Sequence, residues 1–213
     1  MSAPRPLILC ASVHHGNTAR IADVMAAGLG GRWAAPEDVP YDRLEAALVV
    51  GFGSGVFYGR MHDSLFVWLR GLPDRPEPTV PAFLFSTAGL PWLSWLWHRS
   101  LRRLAMQKGF LLLGEFSCAG RDTWGPLWLV GGLNRRHPDG RDLVRADCFA
   151  AGIARHVPIA VLIYTSVHGL VVSDHRGHHV AETDVSCAGV VCSTENLGAC
   201  GKSTDVVLGH VRP

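Results

Sequence analysis

Short apolar segments alternate with amphipathic segments from about residue 5 to residue 155. The apolar segments have the length of buried strands, and they cover residues 6–11, 46–52, 81–86 and 110–116. The amphipathic segments have apolar residues at helical spacing, and they cover residues 17–29, 61–72, 91–108 and 142–155. Strands that alternate with helices in this way are typical of a parallel sheet with helices on both faces.

The hydrophobic pattern changes after residue 155. Residues 157–164 form an apolar run that predicts a further strand, and the residues beyond them show no clear helical periodicity. We therefore predict an α/β domain over residues 1–155 and an irregular C-terminal extension over residues 156–213. The pattern assigns no role to the extension.

Three of the predicted strands lead into segments that are rich in Gly, Ser and Thr. These segments are residues 12–18, 53–59 and 86–89. In an open parallel sheet the ligand binds beyond the carboxyl ends of the strands, near the point where the strand order reverses. We therefore expect the three segments to converge on one crevice.

The first of these segments has the form of a phosphate cradle. It joins a strand to a helix and contains Gly16, which lets the backbone approach an anion closely. The unpaired N–H groups and the positive dipole end of the helix would stabilise that anion. Taken alone, the segment is equally well read as an ordinary turn with Asn17 or Thr18 as a helix cap. Its two companion segments favour phosphate binding, and with it nucleotide or flavin chemistry.

The same three segments resemble the loops of the flavodoxin-like family over about the first 155 residues. Residues 11–18 read Ala-Ser-Val-His-His-Gly-Asn-Thr, where the family's phosphate loop is usually Ser/Thr-x-Thr-Gly-x-Thr. Gly16, Asn17 and Thr18 match the end of that motif, while His15 replaces the usual Thr and Val13 the first hydroxyl position. Residues 51–59, Gly-Phe-Gly-Ser-Gly-Val-Phe-Tyr-Gly, are similar to the second flavin loop, and residues 83–89, Phe-Leu-Phe-Ser-Thr-Ala-Gly, to the third.

This resemblance implies a doubly wound, five-stranded parallel sheet of strand order 2-1-3-4-5 that binds FMN non-covalently. The residues that would bind the FMN phosphate are Ser12, His14, His15, Gly16, Asn17 and Thr18. The residues that would flank the isoalloxazine ring are Ser54, Gly55, Val56, Phe57, Tyr58, Gly59, Ser86, Thr87, Ala88 and Gly89. A charged imidazole at His14 or His15 would strengthen phosphate binding and make it depend on pH. Phe57, Tyr58 or Trp92 could stack on the ring.

Composition narrows the setting of the protein. A formal net charge of +2 is too small to favour general nucleic-acid binding. We expect a cytoplasmic protein with reduced thiols, because no secretory signal and no apolar run of about 20 residues stands out. The spacing of Cys187, Cys192 and Cys200 matches neither an iron–sulfur motif nor a typical zinc site, so we predict no metal. A buried, inert thiol is the expected state of Cys118.

Three functional classes stay open. The first is an FMN-binding electron carrier that serves partner proteins or a small acceptor, with no catalytic residue assigned. The second is a flavoenzyme that acts on an apolar substrate or a quinone, resembling protoporphyrinogen dehydrogenases of this fold. The third is an interaction protein that has lost its flavin. A helix that carries Trp92, Trp95 and Trp97 ahead of Arg99, Arg102 and Arg103 could also contact a membrane surface or an acidic partner. Asp122 and Trp124 would shape the rim of the crevice, and the oligomeric state stays open.

Overall fold

The computed structural model describes residues 5–75, 78–121 and 134–167. The strands are β1 (Arg5–Ala11), β2 (Trp33–Ala34), β3 (Ala47–Phe57), β4 (Arg60–Met61), β5 (Val80–Ala88) and β6 (Phe110–Ala119). The α-helices are α1 (Asn17–Gly28), α2 (Asp63–Arg70), α3 (Ser94–Gln107) and α4 (Gly140–Val167). Short 3-10 turns occupy Pro36–Asp38, Tyr41–Ala46 and Pro91–Leu93.

Five strands form a parallel sheet in the order β2-β1-β3-β5-β6. The two-residue strand β4 lies off this path and pairs with the end of β3 in an antiparallel hairpin. When β4 is left out of the numbering, the order is 2-1-3-4-5. The predicted fold class is therefore confirmed.

Each face of the sheet is covered by a different pair of helices. Successive side chains of a strand point to opposite faces. In β5, Phe83 and Phe85 are buried in the cluster that includes residues of α1 and α4, whereas Ala82 and Leu84 are buried in the cluster that includes residues of α2 and α3. The central strands are apolar on both faces, as expected for a buried parallel sheet.

Two glycines of β3 allow the bulky rings of β5 to lie flat across the sheet. Gly51 pairs with Phe83 and Gly53 pairs with Phe85 in the parallel ladder. A Cβ atom on Gly53 would lie only 1.9 Å from the Phe85 ring, and one on Gly51 would lie 2.5 Å from the Phe83 ring. The two glycines are required because side chains on neighbouring strands share one face of the sheet.

The second flavin-like segment is not the loop that the sequence predicted. Strand β3 continues to Phe57, and the chain then turns at Tyr58 and Gly59 into β4. Both turn residues have positive φ, 50° at Tyr58 and 78° at Gly59, which is typical of the type I′ turns that join hairpin strands. Met61 therefore lies in β4, and helix α2 begins at Asp63 rather than at residue 61.

Two further predictions differ from the structure. The predicted strand at residues 157–164 is wrong, because α4 continues without interruption through this apolar run to Val167. A short apolar run fits a buried helix as well as a strand, and Val157 packs into the core as part of the helix. The hydrophobic pattern did not predict strand β2, because this strand has only two residues. Helix α4 crosses the predicted domain boundary at residue 155, and most of the predicted extension lies outside the described residues.

Within the described residues, no helix combines the length and the mean hydropathy that crossing a membrane requires.

We predict opposite effects for two glycine-to-alanine substitutions. Gly53→Ala should lower the free energy of unfolding by about 1–3 kcal/mol, because the new methyl group overlaps the buried Phe85 ring. Gly152→Ala should raise it by about 0.5–1 kcal/mol, because Gly152 lies in α4 with open space at its Cβ position. Urea unfolding of both variants tests the pair. Equal stabilities for the two variants would contradict the packing described here.

Candidate functional site

The register of the sheet aligns the carboxyl ends of four strands. Ala11 of β1 pairs with Ser54 of β3, Ser54 pairs with Ser86 of β5, and Ser86 pairs with Ser117 of β6. These four residues form one row across the sheet. The three predicted segments therefore lie side by side at one edge, which is the convergence that the sequence led us to expect.

The first segment ends at a helix N-terminus whose N-cap residue is a glycine and has no side chain to cap it. Gly16 is the N-cap residue of α1 and has a left-handed backbone, with φ of 64° and ψ of 16°. His15 before it is also left-handed, with φ of 57°. A Cβ atom at Gly16 would meet nothing within 4 Å, so open space lies in front of the helix end. The first turn of α1 has no acidic residue. These features leave the positive end of the helix dipole open to an anion.

Hydrogen bonds within the protein hold this segment in place. The Ser12 hydroxyl accepts a hydrogen bond from the Ala19 N–H at 3.1 Å. The hydroxyls of Thr18 and Thr87 are 2.7 Å apart and buried, which ties α1 to the end of β5. The Asn17 side chain donates to the Arg121 carbonyl at 2.9 Å. Among the residues that we predicted to bind phosphate, Asn17 and Thr18 are buried, whereas Val13, His14 and His15 are exposed.

The second segment forms an aromatic wall beside the first. The rings of Phe57 and His14 have centroids 5.7 Å apart, so the β3–β4 hairpin contacts the phosphate-like segment directly. Phe57 also packs edge-on against His62, with centroids 5.3 Å apart. Tyr58 projects from the turn and is 89% exposed. The hairpin packs against α3, because a Cβ atom on Gly59 would lie 3.1 Å from the Trp97 ring.

The third segment is the last part of β5 and the residue after it. Ser86, Thr87 and Ala88 are strand residues rather than loop residues, and all three are buried. The carbonyl of Ala88 accepts from the Gly120 N–H at 3.0 Å. The carbonyl of Gly89 accepts from the Asn134 side chain at 2.9 Å. Gly120 and Asn134 are thus both joined to this segment.

Most hydroxyls of the three segments already have partners inside the protein. The Ser54 hydroxyl, fully buried, donates to the Gly55 carbonyl at 2.7 Å and accepts from the His62 N–H at 2.9 Å. The hydroxyls of Thr18, Thr87 and Ser86 likewise lie in hydrogen bonds with neighbouring side chains. These side chains shape the crevice. The contacts that we predicted between Gly55, Val56 and the other residues of the second and third segments and an isoalloxazine ring stay predictions.

A buried polar chain leads from the third segment towards the surface of α3. His98 has no exposed surface, and its Nε2 lies 2.8 Å from the Ser86 hydroxyl. Its Nδ1 lies 2.9 Å from Glu115 Oε2. Arg102 holds Glu115 with two hydrogen bonds, one of them 2.8 Å long from a terminal guanidinium nitrogen to Oε2. Because a carboxylate can only accept, we assign the Nδ1–H tautomer, in which Nδ1 donates to Glu115.

The Glu115 carboxyl group stays ionised in this network of hydrogen bonds. Burial alone would raise the pKa of its carboxyl group, but hydrogen bonds from His98 and Arg102 outweigh burial and lower that pKa to about 2. Sequence reasoning missed this network. Its one signal was the spacing of His98 and Arg102, which lie four residues apart and therefore on the same face of a helix.

Ser86, His98 and Glu115 are connected by hydrogen bonds in the same sequence of residue types as a hydrolase triad, but their placement does not allow that chemistry. A nucleophilic serine must reach substrate. Ser86 is fully buried, and its hydroxyl also lies 3.0 Å from the Ser117 hydroxyl. The network therefore positions the end of β5 against α3 and β6.

The exposed side of the first segment borders a basic cleft of about 450 Å³. Four arginines and two histidines line it together with Asn17: Arg20, Arg121, Arg135, Arg136, His15 and His137. Sequence reasoning missed the cleft because these arginines are far apart in the chain.

Two further candidates for chemistry are accounted for by local structure. His137, Asp139 and Asp142 place ligand atoms within 4.8 Å of one another. Asp139 accepts from the Arg141 and Asp142 N–H groups, and Asp142 accepts from the Asp139 N–H and faces His137, so the group caps α4. Burial raises the pKa of the Cys118 thiol to about 12, so this thiol is protonated at neutral pH. Asp122, Trp124, Cys187, Cys192 and Cys200 lie outside the described residues.

With this geometry in view, comparison with solved structures defines the class. An archaeal flavodoxin covers 72% of this chain and 99% of its own length, with a TM-score of 0.53 and 16% identity. Flavodoxin 2 from Bacillus cereus covers 71% and 98%, with a TM-score of 0.53 and 17% identity. A WrbA-like flavodoxin from Agrobacterium tumefaciens covers 73% and 99%, with a TM-score of 0.50 and 17% identity. The fold is flavodoxin-like.

The sequence comparison is narrower. No family model matches the chain. An uncharacterized protein of Methanocaldococcus jannaschii is 40% identical over 152 residues, which is 71% of this chain and 99% of that protein. The chain belongs to the same family as this archaeal protein.

We predict that Glu115→Gln removes a pH-dependent part of the stability. A carboxyl group whose pKa is lowered by folding stabilises the protein above its unfolded pKa, and that contribution is lost as the pH falls towards about 2. The variant should therefore be less stable than wild type at pH 7, and the difference should shrink between about pH 4.5 and pH 2. Urea unfolding across this range measures it.

Asp63→Asn is the matched control, because Asp63 pairs with Arg60 on the exposed surface. It should change stability by less than about 1 kcal/mol at every pH. A Glu115→Gln difference that is the same at pH 7 and pH 3 would contradict the half-buried ion pair of Glu115 and Arg102.

Proposed function

We propose that this chain is a redox protein that binds FMN non-covalently and transfers electrons. The observation that carries the proposal is the N-terminus of α1, where Gly16 is the N-cap residue and the Ser12 hydroxyl bonds to the Ala19 N–H, beside the aligned carboxyl ends of β3 and β5. A phosphorylated flat ring needs an anion site next to a crevice with apolar walls. At this edge of the sheet the end of α1 lies beside the aromatic ring of Phe57, which contacts His14.

The FMN phosphate would bind at the N-terminus of α1. Main-chain N–H groups of Gly16, Asn17 and Thr18 lie in its first turn and would donate to the phosphate oxygens. The open space in front of Gly16 leaves room for them. The exposed imidazoles of His14 and His15 are within the same segment and would add charge-assisted donors when protonated.

The isoalloxazine ring would lie between the hairpin and the end of β5. Phe57 and His14 already pack together on the hairpin side, and Tyr58 and Trp92 are exposed aromatic rings that could stack on it. The buried hydroxyls of Ser54 and Ser86 hold the two strand ends in position. The flavin, when bound, supplies one- and two-electron transfer, and the protein positions it and sets its electrostatic surroundings.

We predict that Gly16→Val abolishes FMN binding. A branched side chain at this position would fill the space in front of the helix end, so the dissociation constant should rise by roughly 100-fold or more, equivalent to about 2.7 kcal/mol. Flavin fluorescence quenching on titration of the apoprotein measures the constant, and the visible flavin absorbance of the purified protein gives a second readout.

Gly30→Val is the matched control. Gly30 also has positive φ, 75°, and also has open space at its Cβ position, but it lies at the opposite end of α1. Both variants therefore carry similar backbone strain. Gly30→Val should keep the wild-type FMN affinity. The proposal fails if wild type binds no FMN, or if both variants bind it as wild type does.

A second candidate, a flavoenzyme that acts on a quinone or another apolar substrate, is favoured by one feature. Exposed aromatic side chains are present on the hairpin and at the start of α3: Tyr58 is 89% exposed, Trp92 is 68% exposed and Trp95 is 61% exposed. Exposed aromatic patches mark surfaces that contact apolar ligands or partners. For a carrier, the same rim would be the contact surface for a redox partner protein, and it could also touch a membrane surface.

We predict that Trp95→Ser distinguishes the two candidates. In an enzyme of apolar substrates, reoxidation of the reduced, FMN-loaded protein by a long-chain quinone should slow by roughly tenfold, about 1.4 kcal/mol in barrier height, while reoxidation by ferricyanide is unchanged. Stopped-flow absorbance measures both rates. If Trp95→Ser is reoxidised at the wild-type rate by both acceptors, the result would favour the carrier.

A further inference from the structure

The basic cleft lies on the other side of the phosphate-like segment from the proposed ring site. Arg20 belongs to α1, and Arg135 and Arg136 lie in the segment that precedes α4. Helices α1 and α4 cover one face of the sheet, whereas the hairpin packs against α3 on the other. The cleft and the proposed ring site therefore share the segment at residues 15–17, and their other residues belong to elements on different faces of the sheet.

Hydrogen bonds of the main chain hold the walls of the cleft. The Arg121 N–H donates to the His137 carbonyl at 3.2 Å, and the Arg121 carbonyl accepts from the Asn17 side chain at 2.9 Å. These two bonds join the end of β6 to both α1 and the segment before α4. His137 in turn contacts Asp142, with Nδ1 2.6 Å from Oδ2. The cleft is therefore formed by segments that are fixed to one another.

The charge of the cleft is strongly one-sided. Four guanidinium groups line a space of about 450 Å³, and no carboxylate is part of the described lining. Within the described parts of the chain, no carboxylate lies within ion-pair distance of Arg20, Arg121 or Arg136. Two carboxylates, those of Asp139 and Asp142, lie within 4.8 Å of a His137 ring nitrogen and offset part of this charge. Like charges in one concave space repel, and a bound anion would relieve that repulsion.

We propose that this cleft binds a phosphoryl group in addition to the flavin phosphate, at a subsite formed by Arg20, Arg121, Arg135 and Arg136. The planar guanidinium fork suits phosphate oxygens and holds them with paired hydrogen bonds. Four arginines exceed what one phosphate needs, so a diphosphate of a nucleotide is the ligand class that matches them. The diphosphate has two sources, a separate nucleotide or the second phosphate of FAD. The subsite builds on the proposed function, because it assumes that the flavin phosphate occupies the end of α1.

The test titrates FMN-saturated protein with pyrophosphate and with ADP by calorimetry at low salt. We expect one molecule of either to bind per chain. Arg20→Gln and Arg136→Gln should each raise the dissociation constant by roughly tenfold, because each removes one guanidinium from the cleft. Arg99→Gln is the matched control with the same change in net charge. Arg99 is exposed on α3, away from the cleft, and its substitution should leave the constant within roughly twofold.

A parallel titration of apoprotein with FMN and with FAD identifies the source. Tighter binding of FAD than of FMN in wild type, lost in Arg136→Gln, assigns the second phosphate to the cofactor. Equal binding of the two flavins, together with ADP binding to the loaded protein, assigns it to a separate nucleotide. Both results support the subsite.

Three results would overturn it. The first is that neither pyrophosphate nor ADP binds and that FMN and FAD bind equally well. The second is that Arg99→Gln weakens the binding of pyrophosphate or ADP as much as Arg20→Gln and Arg136→Gln do. The third is that pyrophosphate displaces FMN. If wild type binds no FMN, the same titrations on apoprotein still decide the subsite, so its failure is separate from that of the flavin proposal.

Discussion

The parallel pairing of β1, β3, β5 and β6 is the constraint on which the rest of the structure depends. It brings Ala11, Ser54, Ser86 and Ser117 into one row, so the segments that follow these strands leave the sheet at the same level. The row holds only because Gly51 and Gly53 give space to the phenylalanine rings of β5. Without that space side chains on β3 would overlap these rings, and the pairing of β3 with β5 would be weakened.

Side chains and main chain have separate tasks at this edge. The buried hydroxyls of Ser54, Thr18 and Thr87 bond to other parts of the protein and fix the walls. His98 extends the fixed region outward through Glu115, whose charge is held by Arg102. What is left open to a ligand is the main chain at the Gly16 end of α1. A rigid wall with a free helix end is suited to holding a phosphorylated group in one orientation.

The sequence predicted most of the elements because they obey simple periodicities. Strands β1, β3, β5 and β6 are apolar and bounded by turn residues, and α1 has its apolar residues on one face. Strand β2 was not predicted because a strand of two residues is too short to show a hydrophobic period. The start of α4 was predicted but its end was not, because an apolar run such as residues 157–164 fits both a helix and a strand. The hairpin turn at Tyr58 was read as a loop because non-glycine residues seldom adopt its backbone. The convergence of the three segments was predictable from parallel topology, whereas the His98 network and the basic cleft depend on tertiary contacts between distant residues.

Backbone resonances provide the most direct test of the central claim, that the end of α1 is where the phosphate of a flavin binds. Titration of ¹⁵N-labelled protein with FMN, followed by amide chemical shifts, reports each N–H group separately. The account predicts that the amides of Gly16, Asn17 and Thr18 shift most, with smaller shifts along the hairpin from Phe57 to Gly59. Shifts that leave these three amides unchanged and concentrate elsewhere on the sheet would contradict it.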